Sequence, residues 1–479
     1  MSVDRSRNRK LLVSVFGAQE AREAVLGGGR IIDSEDPRSA LGNIKPRQIM
    51  AISDAVLNYG RDGEIQLSTN IGEDQLLFDR SPGGEAIEKS PYEIAGKAAQ
   101  AAIGVACAMG TRVHPSNLVK VGVDGMDVRL VVEVLDEVVR TLNRTEQFCH
   151  SQVMSVLFAQ DMEAWDERKR TDWVRKELVG LREFHPARWK YGEPDDLDGA
   201  EKPDVIELEH TEYSIGTLRG RDGTVLFHDA AQASLGALIQ HGVLPRSVND
   251  SRVALVGLFE HEKYFPQVTA GMKRTTKEVI KAMVDATAEA GADAIMLDTR
   301  IQTKVARIGS VDTASDGLVD LNRFDFNAAG APRRGILTLD ELRYFVDYCH
   351  YRDLEANVAG SVQSYQAQQL WVQIPELDQI STRGAASAVR REPGAGAASG
   401  NADTRRDRVI TRNLVRGLVP PEQGGVLNVP MAMRDNPEAL RDVRRLIDRL
   451  GEARSKHGWP PLESFFVDRA GNAEPIPSA

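Results

Sequence analysis

Several charged side chains stand where apolar runs stop, and their types suit chemistry beside a carbonyl. Lys120 lies inside LVKVGVDG, Asp33 and Glu35 follow an aliphatic pair in IIDSEDP, and Asp298 ends IMLD. An amine among aliphatic residues must be paired or must lose its proton, because an isolated buried ammonium is strongly disfavoured. Lys120 is therefore either an amine of depressed pKa, able to form an imine or to move protons, or the cation of an ion pair with Asp33 or Asp298. Both acids oppose the depression, which favours proton transfer or charge stabilisation over the imine. Asp33 and Asp298 are candidate general acids or bases, with capping of the turn past a strand as the simpler alternative. Glu35 is a candidate catalytic proton acceptor or the partner of an arginine such as Arg300.

A second set of residues suits anions. Gly360-Ser361 and Arg383-Gly384 follow short apolar runs, where glycine permits close approach, serine adds a hydroxyl and arginine pairs with oxyanions. These four are read as phosphate-binding, against turns alone. Glu260 and His261 in VGLFEHEKYF raise a divalent-metal alternative, with the ion stabilising an enolate in place of imine chemistry. Neighbouring residues of an extended strand point to opposite sides, so the plainer reading is a polar loop and no cofactor is expected.

Distant residues can meet only if the elements that carry them converge. Strand-length apolar runs at residues 11–15, 30–33, 64–68, 118–123, 252–258, 294–298, 354–359 and 379–382 alternate with helical stretches at 18–26, 46–59, 91–109, 126–142, 275–290 and 339–350. Gly27-Gly28-Gly29 reads as a helix stop and Thr338 to Glu341 as a capping box. Such βα repeats close most simply into an α/β fold, a (β/α)8 TIM barrel, whose chemistry sits at the C-terminal strand ends. The expected organisation is a first barrel half at 10–145, an insertion between strands 4 and 5 at 146–249 acting as a lid or oligomer contact, and a second half at 250–386. A Gly/Ala/Arg-rich loop at 387–408 and C-terminal helices with a tail at 409–479 follow.

The composition bounds the partners. A chain of 479 residues with 42% hydrophobic content can bury a large core, yet no run approaches the length needed to span a bilayer. The polar turn soon after LLVSVFG argues against a signal peptide, and the three cysteines, Cys107, Cys149 and Cys349, form no CxxC pair. A cytoplasmic enzyme is expected, its cysteines packed as small apolar residues. A net charge of −10 disfavours nucleic acid but leaves room for a local anion site. The expected partners are a small phosphorylated carbonyl substrate and further copies of the chain as a homo-oligomer, with no membrane.

Five segments in this order, LLVSVFGAQEAREAVLGGGRIIDSEDPRSALGN, LVKVGVDG, GADAIMLDTRIQ, VAGS and ISTRGA, resemble the (5-formylfuran-3-yl)methyl phosphate synthases of methanofuran biosynthesis. The likeness covers most of the barrel, but not residues 146–249, the Arg-rich loop or the tail after about Pro420. It implies a class I aldolase-like lyase that joins two molecules of glyceraldehyde 3-phosphate, eliminates phosphate and water, and closes a furan ring. The family's aspartate after the second strand carries over as Asp33, its strand lysine as Lys120 and its later aspartate as Asp298. The family's D-x-K-N-P has become Asp33-Ser34-Glu35-Asp36-Pro37, with Glu35 in the place of the Schiff-base lysine, and Gln302 occupies a later lysine position. A glutamate cannot form an imine, so the family chemistry cannot run unchanged. Two alternatives follow: a divergent aldolase or dehydratase of specialised metabolism using acid–base chemistry, or a catalytically silent barrel that binds or regulates a partner.

Overall fold

The computed structural model describes residues 9–36, 44–60, 65–70, 118–123, 128–144, 151–158, 276–298, 335–360, 362–389, 408–468 and 470–477, with the backbone of short strands at 78–80, 86–88, 205–211, 214–220, 225–227 and 317–320. Its centre is a closed barrel of β1 (Lys10–Val15), β2 (Ile31–Ser34), β3 (Gln66–Asn70), β4 (Leu118–Gly122), β5 (Gln152–Phe158), β6 (Ala294–Asp298), β7 (Glu355–Val358) and β8 (Gln379–Thr382). Each strand pairs in parallel with the next, and β8 returns to β1 through Lys10–Gln379 to Val13–Thr382. The fold is therefore the expected (β/α)8 barrel.

The fifth strand corrects the sequence reading. Residues 152–158 fill the place between β4 and β6 that was assigned to residues 252–258, and the latter lie outside the described residues. The long segment thus follows strand 5 rather than strand 4. The physical reason is visible in QVMSVLF: its outward face carries Ser155, whose hydroxyl meets Thr287 Oγ1 at 2.9 Å on the covering helix, so the apolar run is interrupted. The segment RVALVGL has no such break and reads more strongly as a buried strand.

Period-2 alternation divides the strands into two faces. Leu11, Val13, Val15, Ile32, Val119 and Val121 point outward into a core shared with the helices. Leu12, Ile31, Leu118, Met154, Ala294 and Met296 fill the barrel interior. Polar residues occupy the same inward set above and below that apolar layer, which is how Ser14, Asp33, Ser68, Asn70 and Lys120 come to share the barrel's upper end.

The helices match their sequence signals. α1 (Ala18–Leu26) and α2 (Pro46–Tyr59) have the expected bounds, and α3 (Val128–Arg144), α4 (Thr276–Glu289) and α5 (Leu339–Tyr351) differ at the ends only. The stretch at 91–109 lies outside the described residues. In α3, Val131, Val134, Leu135, Val138 and Leu142 are buried at helical spacing, each worth roughly 1.5–3 kcal/mol when fully withdrawn from water. Gly28 ends α1's turn at φ +101°, a conformation that side-chain-bearing residues rarely adopt. Thr338 and Glu341 form the expected capping box.

Beyond β7 come α6 (Ser364–Gln373) and, after β8, a hairpin of β9 (Ser387–Val389) and β10 (Arg408–Ile410) leading to α7 (Arg412–Arg416). The C-terminal region holds more than helices. β11 (Leu427–Pro430), β12 (Ser464–Val467) and β13 (Ala473–Pro475) form a small sheet that, with α8 (Pro437–His457), buries Leu427, Val443, Leu446 and Phe466 against Tyr365 of α6. Arg9, just before β1, anchors this region to the barrel through Glu422, the Trp371 carbonyl at 2.5 Å and the rings of Trp371 and Trp459.

Candidate active site

The C-terminal ends of β1 to β4 build one charged cluster. Lys120 Nζ lies 2.7 Å from Asp33 Oδ2 and 3.6 Å from Glu35 Oε2. Ser14 Oγ is within donating distance of both acids, 3.0 Å from Asp33 Oδ2 and 2.9 Å from Glu35 Oε2. Asn70 Nδ2 donates to the Ser34 carbonyl at 3.1 Å and reaches Asp33 at 3.4 Å. Asp33, Glu35, Asn70 and Lys120 are all buried. Register explains the convergence: Ser14 pairs with Asp33, Asp33 with Ser68, and Asn70 with Lys120 across successive strands.

Electrostatics fix the charge of the central pair. Burial alone would push the Lys120 ammonium down, but Asp33, Glu35 and Asp298 outweigh it and hold the group above its ordinary value. Burial likewise pushes the Asp33 carboxyl up, and the Lys120 charge and hydrogen bond overcome it, leaving the acid below the usual carboxylate range. Both directions favour a charged, clamped ammonium at Lys120 over an amine of depressed pKa. Asp298, at the end of β6, is partly exposed and adds its charge to this field.

The residues expected to bind an anion divide. Gly360 follows β7 at φ +90°, where only glycine is comfortable, and Gly384 opens a short 3-10 turn with open space where a side chain would stand. Arg383 lies at the mouth, but its guanidinium is tied bidentately to Glu20 of α1 at 2.9 and 3.2 Å and to the Ser14 carbonyl at 3.0 Å. Its positioning duty was invisible in sequence because Glu20 stands at the opposite end of the chain. Ser361, Glu260 and His261 lie outside the described residues. Among the described residues, no group of three or more His, Cys, Asp or Glu is arranged to hold a metal ion.

Sequence reasoning missed Ser14, Ser68 and Asn70. Their signal was a polar residue at an inward position of an otherwise apolar strand, as in LLVSVF and QLSTN. Ser34 Oγ and Asn70 Oδ1 are buried without a hydrogen-bond partner, which leaves polar capacity beside the charged pair, and the Ser68 hydroxyl helps to hold the Asp33 carboxyl down. Cys349 packs as expected, a buried free thiol that burial pushes well above its usual range. Among the described residues, no helix is long and apolar enough to cross a membrane.

Comparison with solved structures gives distant similarity. A protein provisionally named lyase/mutase from Burkholderia cenocepacia J2315 is 10% identical, with 80% of each chain covered and a TM-score of 0.31. A protein provisionally named copper homeostasis protein CutC from Streptococcus agalactiae is 9% identical, covering 78% of this chain and 99% of its own, with a TM-score of 0.32. A type I 3-dehydroquinate dehydratase from Clostridium difficile is 16% identical over 34% of this chain and 57% of its own, with a TM-score of 0.18. At these scores none bears on function. No curated protein matches the chain. Residues 11–177 match the model of the 4-HFC-P synthases, 4-HFC-P being another name for (5-formylfuran-3-yl)methyl phosphate. The match covers about a third of the chain, spans Asp33, Glu35 and Lys120, and supports a lyase-like enzyme activity.

Proposed function

We propose that the chain is a carbon–oxygen lyase acting on phosphorylated three-carbon carbonyl compounds, condensing and dehydrating triose phosphate, with glyceraldehyde 3-phosphate as the reference substrate, to a furan phosphate or a related product. The observation that carries this reading is the charged Lys120 held between two buried carboxylates at the barrel mouth. An ammonium there donates to a carbonyl oxygen and stabilises the enolate that forms when the neighbouring carbon loses a proton. Asp33, held ionised, is the base positioned for that proton. Glu35 stands close enough to exchange a proton with an oxygen leaving from the next carbon. Asp298 at the rim adds negative charge that keeps the lysine protonated between turnovers. The backbone at Gly360 and Gly384 offers N–H groups to the phosphate, a common use of the last strand ends in barrels. This is acid–base chemistry, consistent with the glutamate in the place of the family's imine lysine.

Incubation with glyceraldehyde 3-phosphate and dihydroxyacetone phosphate, read by phosphate release and mass spectrometry, tests the reading. Phosphate release with a dehydrated six-carbon product is expected. No release from either compound, together with no binding of either sugar phosphate, contradicts it.

A further inference from the structure

Asn70 carries a buried acceptor that has no partner among the described residues. Its side chain stands on the inward face of β3, and the register sets it beside Lys120 of β4. The amide nitrogen reaches two groups on β2, the Ser34 carbonyl at 3.1 Å and the Asp33 carboxylate at 3.4 Å. A carbonyl and a carboxylate only accept, so the amide cannot be turned over, and its oxygen is fixed on the other arm of the planar group, away from β2. That oxygen belongs to a residue only 2% exposed.

A purely structural amide looks different in this barrel. Asn357, an inward residue of β7 on the opposite wall, is fully buried and uses both of its ends: its nitrogen donates to Gln379 Oε1 at 2.7 Å, and its oxygen accepts from Ser381 Oγ at 2.7 Å. Leaving a buried acceptor unmade is costly, and protein interiors satisfy nearly all such groups. Asn70 is half satisfied, at the end of the barrel where the charges gather.

The neighbouring side chain supplies the complement. An ammonium has three N–H groups, and Lys120 meets Asp33 at 2.7 Å and Glu35 at 3.6 Å, so one N–H remains for a ligand. A donor and an acceptor therefore stand side by side on adjacent parallel strands, whose backbones run about 5 Å apart. The group that matches this pair carries an acceptor next to a donor, as a carbonyl does when the adjoining carbon bears a hydroxyl. A phosphate or carboxylate is a poor match, because it brings no hydrogen to Asn70 and adds negative charge beside Asp33 and Glu35.

We propose that Asn70 is a substrate-binding residue whose amide oxygen accepts the hydroxyl on the carbon beside the substrate carbonyl, while Lys120 donates to the carbonyl oxygen, so that the site selects hydroxy-carbonyl compounds. This rests on the lyase reading and deepens it. The carbon that bears the hydroxyl is the one whose proton Asp33 takes, and Asn70 holds the hydroxyl with one arm of its amide and reaches the base with the other.

The test compares two ligands that differ by that hydroxyl alone. Dihydroxyacetone phosphate carries it; hydroxyacetone phosphate, with a methyl group in its place, does not. Calorimetric titration of the full chain is expected to show dihydroxyacetone phosphate binding at least about tenfold more tightly, because the analogue leaves a buried acceptor unpaired. Asn70→Leu is expected to bring the ratio of the two affinities to about one. Asn70→Ser, which keeps a donor for the Ser34 carbonyl but lacks the amide oxygen, reads the same loss should the leucine variant fail to fold. Equal binding of the two ligands by the unmodified protein means that water alone fills the acceptor; it overturns the proposal and leaves the lyase reading standing. A preference that survives in both variants assigns the hydroxyl to another group and overturns the role of Asn70. Binding of neither ligand overturns the proposal together with the lyase reading, whereas discrimination without turnover supports the proposal and counts against the reaction.

Discussion

Two regions bury charge in this molecule, and they do so differently. At the C-terminal clamp, Arg9 is held at three guanidinium nitrogens by Glu422 and the Trp371 carbonyl between two indole rings. Arg454 nearby donates to Gln368, Gly425 and the carbonyls of Pro460 and Pro461. One buried oxygen of the clamp, Gln423 Oε1, lacks a partner. At the barrel mouth the charges are also paired, but Ser34 and Asn70 each keep a buried oxygen without a partner beside the central pair. The clamp, satisfied but for Gln423 Oε1, ties elements together. A cluster with spare hydrogen-bonding capacity beside a fixed charge gives up stability for the ability to receive a ligand, the usual condition of a site built for chemistry.

Substitutions can break that contrast, and the largest effect is expected at its centre. Lys120→Ala strips the cation from two buried acids, so it should abolish triose phosphate turnover and lower stability by about 3–5 kcal/mol unless Asp33 takes up a proton. Kinetics and denaturant melts at pH 5 and pH 8 separate the two outcomes. Arg9→Ala should lower stability by about 2–3 kcal/mol, discounted because Glu422 keeps 20% exposure, and leave kcat/KM unchanged well below the melting temperature. Loss of activity in that variant would mean that the clamp belongs to the site after all.

The pH dependence should follow the central pair. Asp33 is depressed from an ordinary value of 3.8, so its stabilising contribution is complete above that value and is lost as pH falls through the lower, folded one. Lys120 is raised from 10.5, so its contribution is complete below that value and is lost as pH climbs through the higher, folded one. Melting temperatures should therefore show a plateau from this pair between about pH 4 and 10, narrowed in Asp33→Asn. The smallest change is expected from Ser34→Ala, which removes an oxygen that has no partner: stability should stay level or rise by about 1 kcal/mol. A clear loss of stability there would show that the hydroxyl is engaged.

The barrel was legible because seven of its runs carry uninterrupted outward aliphatics, and α1, α2 and the Thr338 capping box announce themselves by periodicity and caps. β5 escaped because Ser155 breaks its outward face, and a stronger apolar run elsewhere drew the assignment. At the site, Asp33, Glu35 and Lys120 were readable as charges at strand ends, and their meeting follows from strand closure. The state of the lysine was less readable, since it depends on distances between strands that only the register sets. Arg383 shows the same limit: a guanidinium after β8 looked free for phosphate, and its partner Glu20 lies on the first helix. The small C-terminal sheet was missed because LNVP, SFFV and AEP are too short to carry a periodic signal.

The charged state of Lys120 is tested most directly by borohydride trapping during incubation with glyceraldehyde 3-phosphate, followed by mass spectrometry of the Lys120 peptide. Phosphate release with an unmodified Lys120 is the expected result. A reduced substrate adduct on Lys120 would mean that the amine sheds its proton and forms an imine, and would contradict a lysine locked between Asp33 and Glu35.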